Sequence, residues 1–114
     1  MKIKTSNLTG PALDWAVAKC EGYVEDACSW LYEATVQDVA DSDGYHPSDK
    51  WAQGGPIIER ERIDVFSVRN GESWCAQSDV LRLCYYNASY LVAAMRCFVA
   101  SKLGEEVDIP EELK

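Results

Sequence analysis

Ser48-Asp49-Lys50-Trp51-Ala52-Gln53-Gly54-Gly55-Pro56-Ile57-Ile58-Glu59-Arg60-Glu61-Arg62-Ile63 is the stretch around which the rest of the chain is organised. Ser48 or Asp49 is placed to cap a short helical turn that runs to Gln53. Pro56 has no N–H to offer the Ala52 carbonyl and its ring crowds that group, so a break or kink is expected after Gly54-Gly55. Pro56 then starts a second turn, Ile57–Arg62, with Gly55 near its cap. Ile57 and Ile58 are the residues that would face the body, with Glu59, Arg60 and Arg62 in water.

Downstream, Ile63–Val68 alternates as a strand does, Asn70-Gly71 signals a hairpin, and Trp74–Gln77 is the returning strand. Val80–Tyr86 reads as a further strand. Ser89 is a good cap for a helix over 90–103, with Leu91, Ala94, Met95, Phe98 and Val99 inward, Arg96 and Lys102 outward, and Gly104 as the stop. The tail 105–114 is acidic, and Val107 and Ile109 can dock it on the body. Upstream, Asp38–Pro47 has the chemistry of a loop. Residues 24–40 fit a helical stripe or a strand, and their aromatic and β-branched content favours a strand near 29–37. A helix over 10–21 is signalled by Thr9 as cap, Pro11 in the first turn, Leu8 and Leu13 as a staple, and Gly22 as stop. Leu13, Ala16, Val17 and Cys20 make its inner face, leaving Asp14 and Lys19 to water. Lys2–Thr5 alternates as a short edge strand or extended arm, which could pair with another copy. Helices joined by hairpin-linked strands predict an α+β fold: a small antiparallel sheet covered by an N-terminal helix, a short kinked central helix and a C-terminal helix. The 114 residues suit one domain, 1–114.

Eleven Lys and Arg against nineteen Asp and Glu give a net charge of −8, which repels nucleic-acid phosphates and anionic lipid. Direct nucleic-acid binding and membrane attachment are therefore not expected. The longest apolar run, Leu91–Met95, is too short to cross a bilayer, and Met-Lys-Ile-Lys-Thr-Ser is not a secretory leader. The five cysteines form no C-x-x-C pair, and they read as small buried hydrophobes in a reducing cytoplasm.

Three blocks carry a family resemblance: LTGPALDWAVAKCEG from Leu8 to Gly22, YHPSDKWAQGGPIIERERI from Tyr45 to Ile63, and AAMRCFVASKLGEEVDIPEEL from Ala93 to Leu113. Together they resemble the NinX-like family of lambdoid phages and prophages, a family of unknown function. The order of the blocks is also similar, more weakly, to the phage alpha-beta-alpha sandwich domain. Two departures stand out. Ser48-Asp49-Lys50-Trp51 replaces the family's frequent Ser-Thr-Asp-Trp, and Asn87-Ala88-Ser89-Tyr90 replaces its Gly-Pro-Thr-Pro. The resemblance implies a phage or prophage protein at work in the cytoplasm of the bacterial host. It carries no catalytic residue with it.

Candidate chemistry is sparse. His46 is the single histidine, and a catalytic role would need a nucleophile or metal within reach, with Asp43 and Asp49 nearby in sequence. Asp41-Ser42-Asp43-Gly44 lacks the later ligands of a calcium loop, so no metal site is expected. Gln53-Gly54-Gly55-Pro56 matches no phosphate-loop motif, although Gly-Gly before a helix can bare amides to an anion. Trp51, in a polar and glycine-rich setting, is the tryptophan expected to be exposed, with Trp15 and Trp74 in the core. The expected function is a non-catalytic phage accessory protein that binds a host or phage macromolecule, without a cofactor. One alternative is a binder of a nucleotide-like small anion, using Asp49, Trp51, Gln53, Gly54 and Gly55. A second is an enzyme working through His46.

Overall fold

The computed structural model describes residues 2–23, 45–68, 71–78 and 84–110. The expected strand near 29–37, the loop before Tyr45 and most of the segment 80–84 lie outside them. In chain order the elements are β1 (Lys2–Lys4), a short 3-10 turn (Thr5–Asn7), α1 (Gly10–Cys20), α2 (Trp51–Glu61), β2 (Asp64–Val68), β3 (Ser73–Gln77), β4 (Tyr85–Asn87), α3 (Tyr90–Leu103) and β5 (Glu106–Asp108). Among the described residues, three helices with antiparallel sheets make this an α+β fold, as the hairpin signals predict.

α3 is the axis. Its first turn is capped by the Ser89 hydroxyl, which accepts the Val92 N–H at 3.3 Å. Gly104, at φ +88°, ends it. Every residue from Ala93 to Ala100 is buried, so the helix has no solvent face along two turns. Both α1 and α2 pack against it, as do β3 and β4. The expected apolar stripe is inside, but so is Arg96, which the sequence places in water. Its Nε donates to the Leu8 carbonyl and its Nη1 to the Tyr86 carbonyl. A guanidinium can enter a core when backbone oxygens receive its N–H groups.

α1 is also buried along Ala12–Ala18. Thr9 holds the expected cap position with extended backbone, yet its hydroxyl makes no capping bond. The C-terminus closes as a Schellman turn: Gly22 sits at φ +82°, with the Tyr23 N–H on the Ala18 carbonyl and the Gly22 N–H on Lys19. Asp14, expected in water, is only 2% exposed.

The three-stranded sheet has the order β2-β3-β4, antiparallel throughout. One cross-strand row, Val65, Ala76 and Tyr85, belongs to the core; the next, Phe66, Cys75 and Tyr86, has Phe66 and Tyr86 exposed at its ends. Gly71, at φ +90°, lies in the β2–β3 connection where the hairpin is expected. β1 pairs along one edge with β5 of its own chain, in a two-stranded sheet with Ile3 opposite Val107. Val107 and Ile109 are buried, so residues 105–110 dock as the pattern implies.

The central stretch differs most from expectation. Trp51–Glu61 is one helix with Pro56 inside it, not two turns. Ala52, whose carbonyl loses its partner at Pro56, is on the exposed side, where the carbonyl can be hydrated. Neither Ser48 nor Asp49 caps the helix; Lys50 holds the N-cap position without a side-chain bond. The helix ends on Arg62 in the left-handed region (φ 53°), again a Schellman turn, with the Ile63 N–H on the Ile58 carbonyl. Arg60 is exposed but not merely solvated. It pairs with Glu21 at the end of α1 and with Glu61.

Gly54 is buried where α2 meets the preceding turn and α3. A Cβ there would run into the Pro47 carbonyl oxygen and come within 2.9 Å of Leu91 Cδ2. At Gly55 the nearest atom is a Trp51 ring carbon at 3.2 Å, part of an exposed side chain that can yield. Alanine gains about 1 kcal/mol over glycine inside a helix, whereas overpacking against backbone costs about 1–3 kcal/mol. Gly54→Ala is thus expected to lower the thermal midpoint, and Gly55→Ala to leave it level or raise it. Paired thermal denaturation curves followed by circular dichroism check both.

Candidate functional site

The turn before α2 is tied to α1 by one carboxylate. Asp14 projects from the buried side of α1, and its Oδ1 accepts the Ser48 N–H at 2.9 Å. Its Oδ2 lies 3.3 Å from His46 Nδ1. Burial pushes the Asp14 carboxyl above the usual carboxylate range, opposed by the Ser48 hydrogen bonds and by His46. The His46 carbonyl receives the N–H groups of Asp49 and Lys50 at 2.9 and 2.7 Å, and the His46 N–H donates to Gln53 Oε1. The turn is therefore held from α1 on one side and from α2 on the other.

These groups border an open cleft of about 460 Å³ between the start of α1, the 46–49 turn and the start of α3. Asp14, His46, Ser48 and Asp49 line it on one side, Ser89 and Val92 on the other. The His46 side chain is partly exposed there. Beside this cleft in sequence stand Trp51, two residues after Asp49, and Tyr90, next to Ser89. Their rings are 4.9 Å apart, and Trp74 meets Tyr90 edge-on at 5.0 Å. Trp51 is 57% exposed, the most exposed large hydrophobic side chain among the described residues. The result is an aromatic ledge of three rings beside a cleft edged with carboxylates.

The five residues singled out by sequence thus take different places. Asp49 lines the cleft and Trp51 crowns the ledge. Gln53 turns back to receive the His46 N–H. Gly54 is in the helix, its N–H bonded to the Lys50 carbonyl at 2.8 Å, and Gly55 lies against the Trp51 ring. His46 Nδ1 meets Asp14, 32 residues away in the chain. Asp14 stands between Leu13 and Trp15, both fully buried, and a carboxylate flanked by core residues in a helix is the one sequence signal that could have found it. Trp74, expected in the core, is only partly buried because it contributes to the ledge. Among the described residues no group of three His, Cys, Asp or Glu side chains is disposed to hold a metal ion, and no helix is long and apolar enough to cross a membrane.

The family model described as Bacteriophage P22, NinX matches residues 4–102 of the chain. The match takes in both helices that frame the cleft and all three rings of the ledge. No curated protein matches the chain significantly.

Asp14→Ala strands the Ser48 N–H in a buried site and is expected to cost about 1–3 kcal/mol, measured by urea denaturation. Asp14→Asn keeps an oxygen for that N–H and should cost less. Because the folded carboxyl titrates above its unfolded value, its contribution is complete at low pH and is lost as pH rises through the folded value. The stability of Asp14→Asn relative to the parent is therefore expected to increase as pH is raised from about 4, where a free aspartate titrates.

Proposed function

The chain belongs to the phage P22 NinX family, and from that premise we propose that it is a non-catalytic phage accessory protein that binds a protein partner through the aromatic ledge. The observation that carries this reading is the exposed stack of Trp51 on Tyr90, backed by Trp74. Trp and Tyr bring large, rigid, amphipathic contact area, and they dominate the energetics of protein interfaces. A tryptophan that is 57% exposed keeps apolar area in water, which a partner that covers it would remove. The carboxylate of Asp49 beside it, on a chain of net charge −8, suits a partner with a basic surface.

The small-anion reading has less support. Its Gly54 amide is used inside α2, and the cleft is edged by Asp14 and Asp49 rather than by cations. The enzymatic reading has one specific observation in its favour, the buried Asp14 carboxylate beside His46 Nδ1, which is the orienting half of a general base. It requires that a substrate be turned over in the 460 Å³ cleft; loss of an in vivo phage phenotype in Trp51→Ala but not in His46→Ala would set it aside.

Trp51→Ala is expected to weaken the partner complex by about 2 kcal/mol or more, some thirtyfold in Kd. Its cost in stability is confined to about 0.5–1.5 kcal/mol for the lost stack on Tyr90. Affinity capture from infected cells with the parent, Trp51→Ala and Phe66→Ala checks this. A protein retained by the parent and by Phe66→Ala but lost by Trp51→Ala is the expected result; no protein above background with the parent refutes the reading.

A further inference from the structure

Arg96 is 93% buried, yet no carboxylate among the described residues pairs with it. Its Nε donates to the Leu8 carbonyl at 2.8 Å and its Nη1 to the Tyr86 carbonyl at 3.3 Å. Both acceptors are neutral. Among the described residues Nη2 has no hydrogen-bond partner, but it is not sealed in the core, since the one fully enclosed side-chain polar atom without a partner among them is Trp15 Nε1. A second open cleft of about 460 Å³, with no lining residue in common with the His46 cleft, is lined by Arg96.

An uncompensated buried cation is costly, and a well-packed apolar residue of similar volume often serves stability as well or better. If Arg96 did no more than join α3 to Leu8 and Tyr86, the guanidinium would be an expensive link. Its two spare Nη2 donors, held at the floor of a cleft by two fixed backbone acceptors, have the form of a preorganised oxyanion receptor. The rest of the lining sets the charge of the guest. Lys4 adds a second cation, while Glu105 and Glu106 add two carboxylates, so the lining is formally neutral. A dianion such as phosphate meets two acidic neighbours and a chain of net charge −8; a monoanion does not incur the same repulsion. Tyr86, which is half exposed and lines the cleft, supplies an aromatic wall.

We propose that the cleft over Arg96 is a binding site for a monovalent carboxylate borne on an apolar or aromatic body, with Arg96 Nη2 as its donor and Tyr86 as its wall. Such a carboxylate can belong to a free organic acid or to the C-terminus of a polypeptide, and the two are separated by the choice of probe.

The test uses the full chain, with benzoate as the free acid and N-acetyl-glycyl-phenylalanine, together with its C-terminal amide, as the peptide pair. The readout is the Nε–Hε correlation of Arg96 and the backbone amide of Tyr86 in nitrogen-15 spectra. Saturable shifts with benzoate alone assign a free acid; shifts with the peptide acid but not its amide assign a polypeptide end. Affinities in the millimolar range are sufficient, so each probe is taken to about 20 mM. Arg96→Met is expected to abolish the shifts at Tyr86 and, because it leaves the Leu8 and Tyr86 carbonyls without their donor, to lower the thermal midpoint. Should that variant fail to fold, Glu105→Gln combined with Glu106→Gln decides the matter: both side chains are exposed, and their neutralisation is expected to tighten carboxylate binding threefold or more. No saturable shift with any probe, a response to inorganic phosphate in place of carboxylates, or carboxylate binding unchanged in these variants overturns the proposal.

Discussion

A helix with no solvent face must be enclosed, and that requirement organises the whole molecule. α3 is buried all round from Ala93 to Ala100. Its alanines at 93, 94 and 100 present no bulk, so neighbouring elements approach closely on several sides at once. α1 and α2 take two sides and the meander sheet another, while the 3-10 turn and β5 close what remains. The same enclosure explains the polar exceptions. Asp14 and Arg96 sit on helices that are buried on every side, and each is accommodated by backbone groups: an amide for the carboxylate, two carbonyls for the guanidinium.

Much of this architecture was written locally. Ser89 and Gly104 bracket α3, Gly22 ends α1, and Asn70-Gly71 marks the hairpin, because caps and turns depend on a few adjacent residues with special side chains or special φ. The burial of Asp14 and Arg96 was not legible, for a different reason. Apart from the His46 ring beside Asp14, the groups that receive them are backbone groups of Ser48, Leu8 and Tyr86, and a backbone group leaves no signature in the sequence. Helical periodicity sends charges outward by assuming a polar face, which α3 does not have. Pro56 misled in the opposite direction. It does remove a hydrogen bond, but on the exposed side of α2, where the loss is small and the packing of Gly54 and Ile57 outweighs it.

The candidate site was half legible. A tryptophan in a polar, glycine-rich run reads as exposed, and Trp51 is. What the run does not show is why Trp51 is presented so firmly. Gly54, one turn on, lets α2 approach the Pro47 carbonyl, and the Asp14 carboxylate holds the turn just before it. Tyr90 and Trp74 come from two other elements, so the ledge exists only after α2, β3 and α3 have met. The glycines therefore serve the site through packing, not as anion ligands in their own right.

The pairing of β1 with β5 carries a consequence for the order in which the protein acquires its shape. Thr5 bonds to Gly104 and Glu105, Ile3 lies opposite Val107, and Arg96 reaches Leu8 across 88 residues. The start of the chain has few native contacts available until residues near 100 have left the ribosome. Closing loops of that length is slow compared with forming a helix or a hairpin. α1, although strongly signalled, is a helix that waits: among the described residues its main packing partner is α3, and β5 acts as the latch that holds β1 in place.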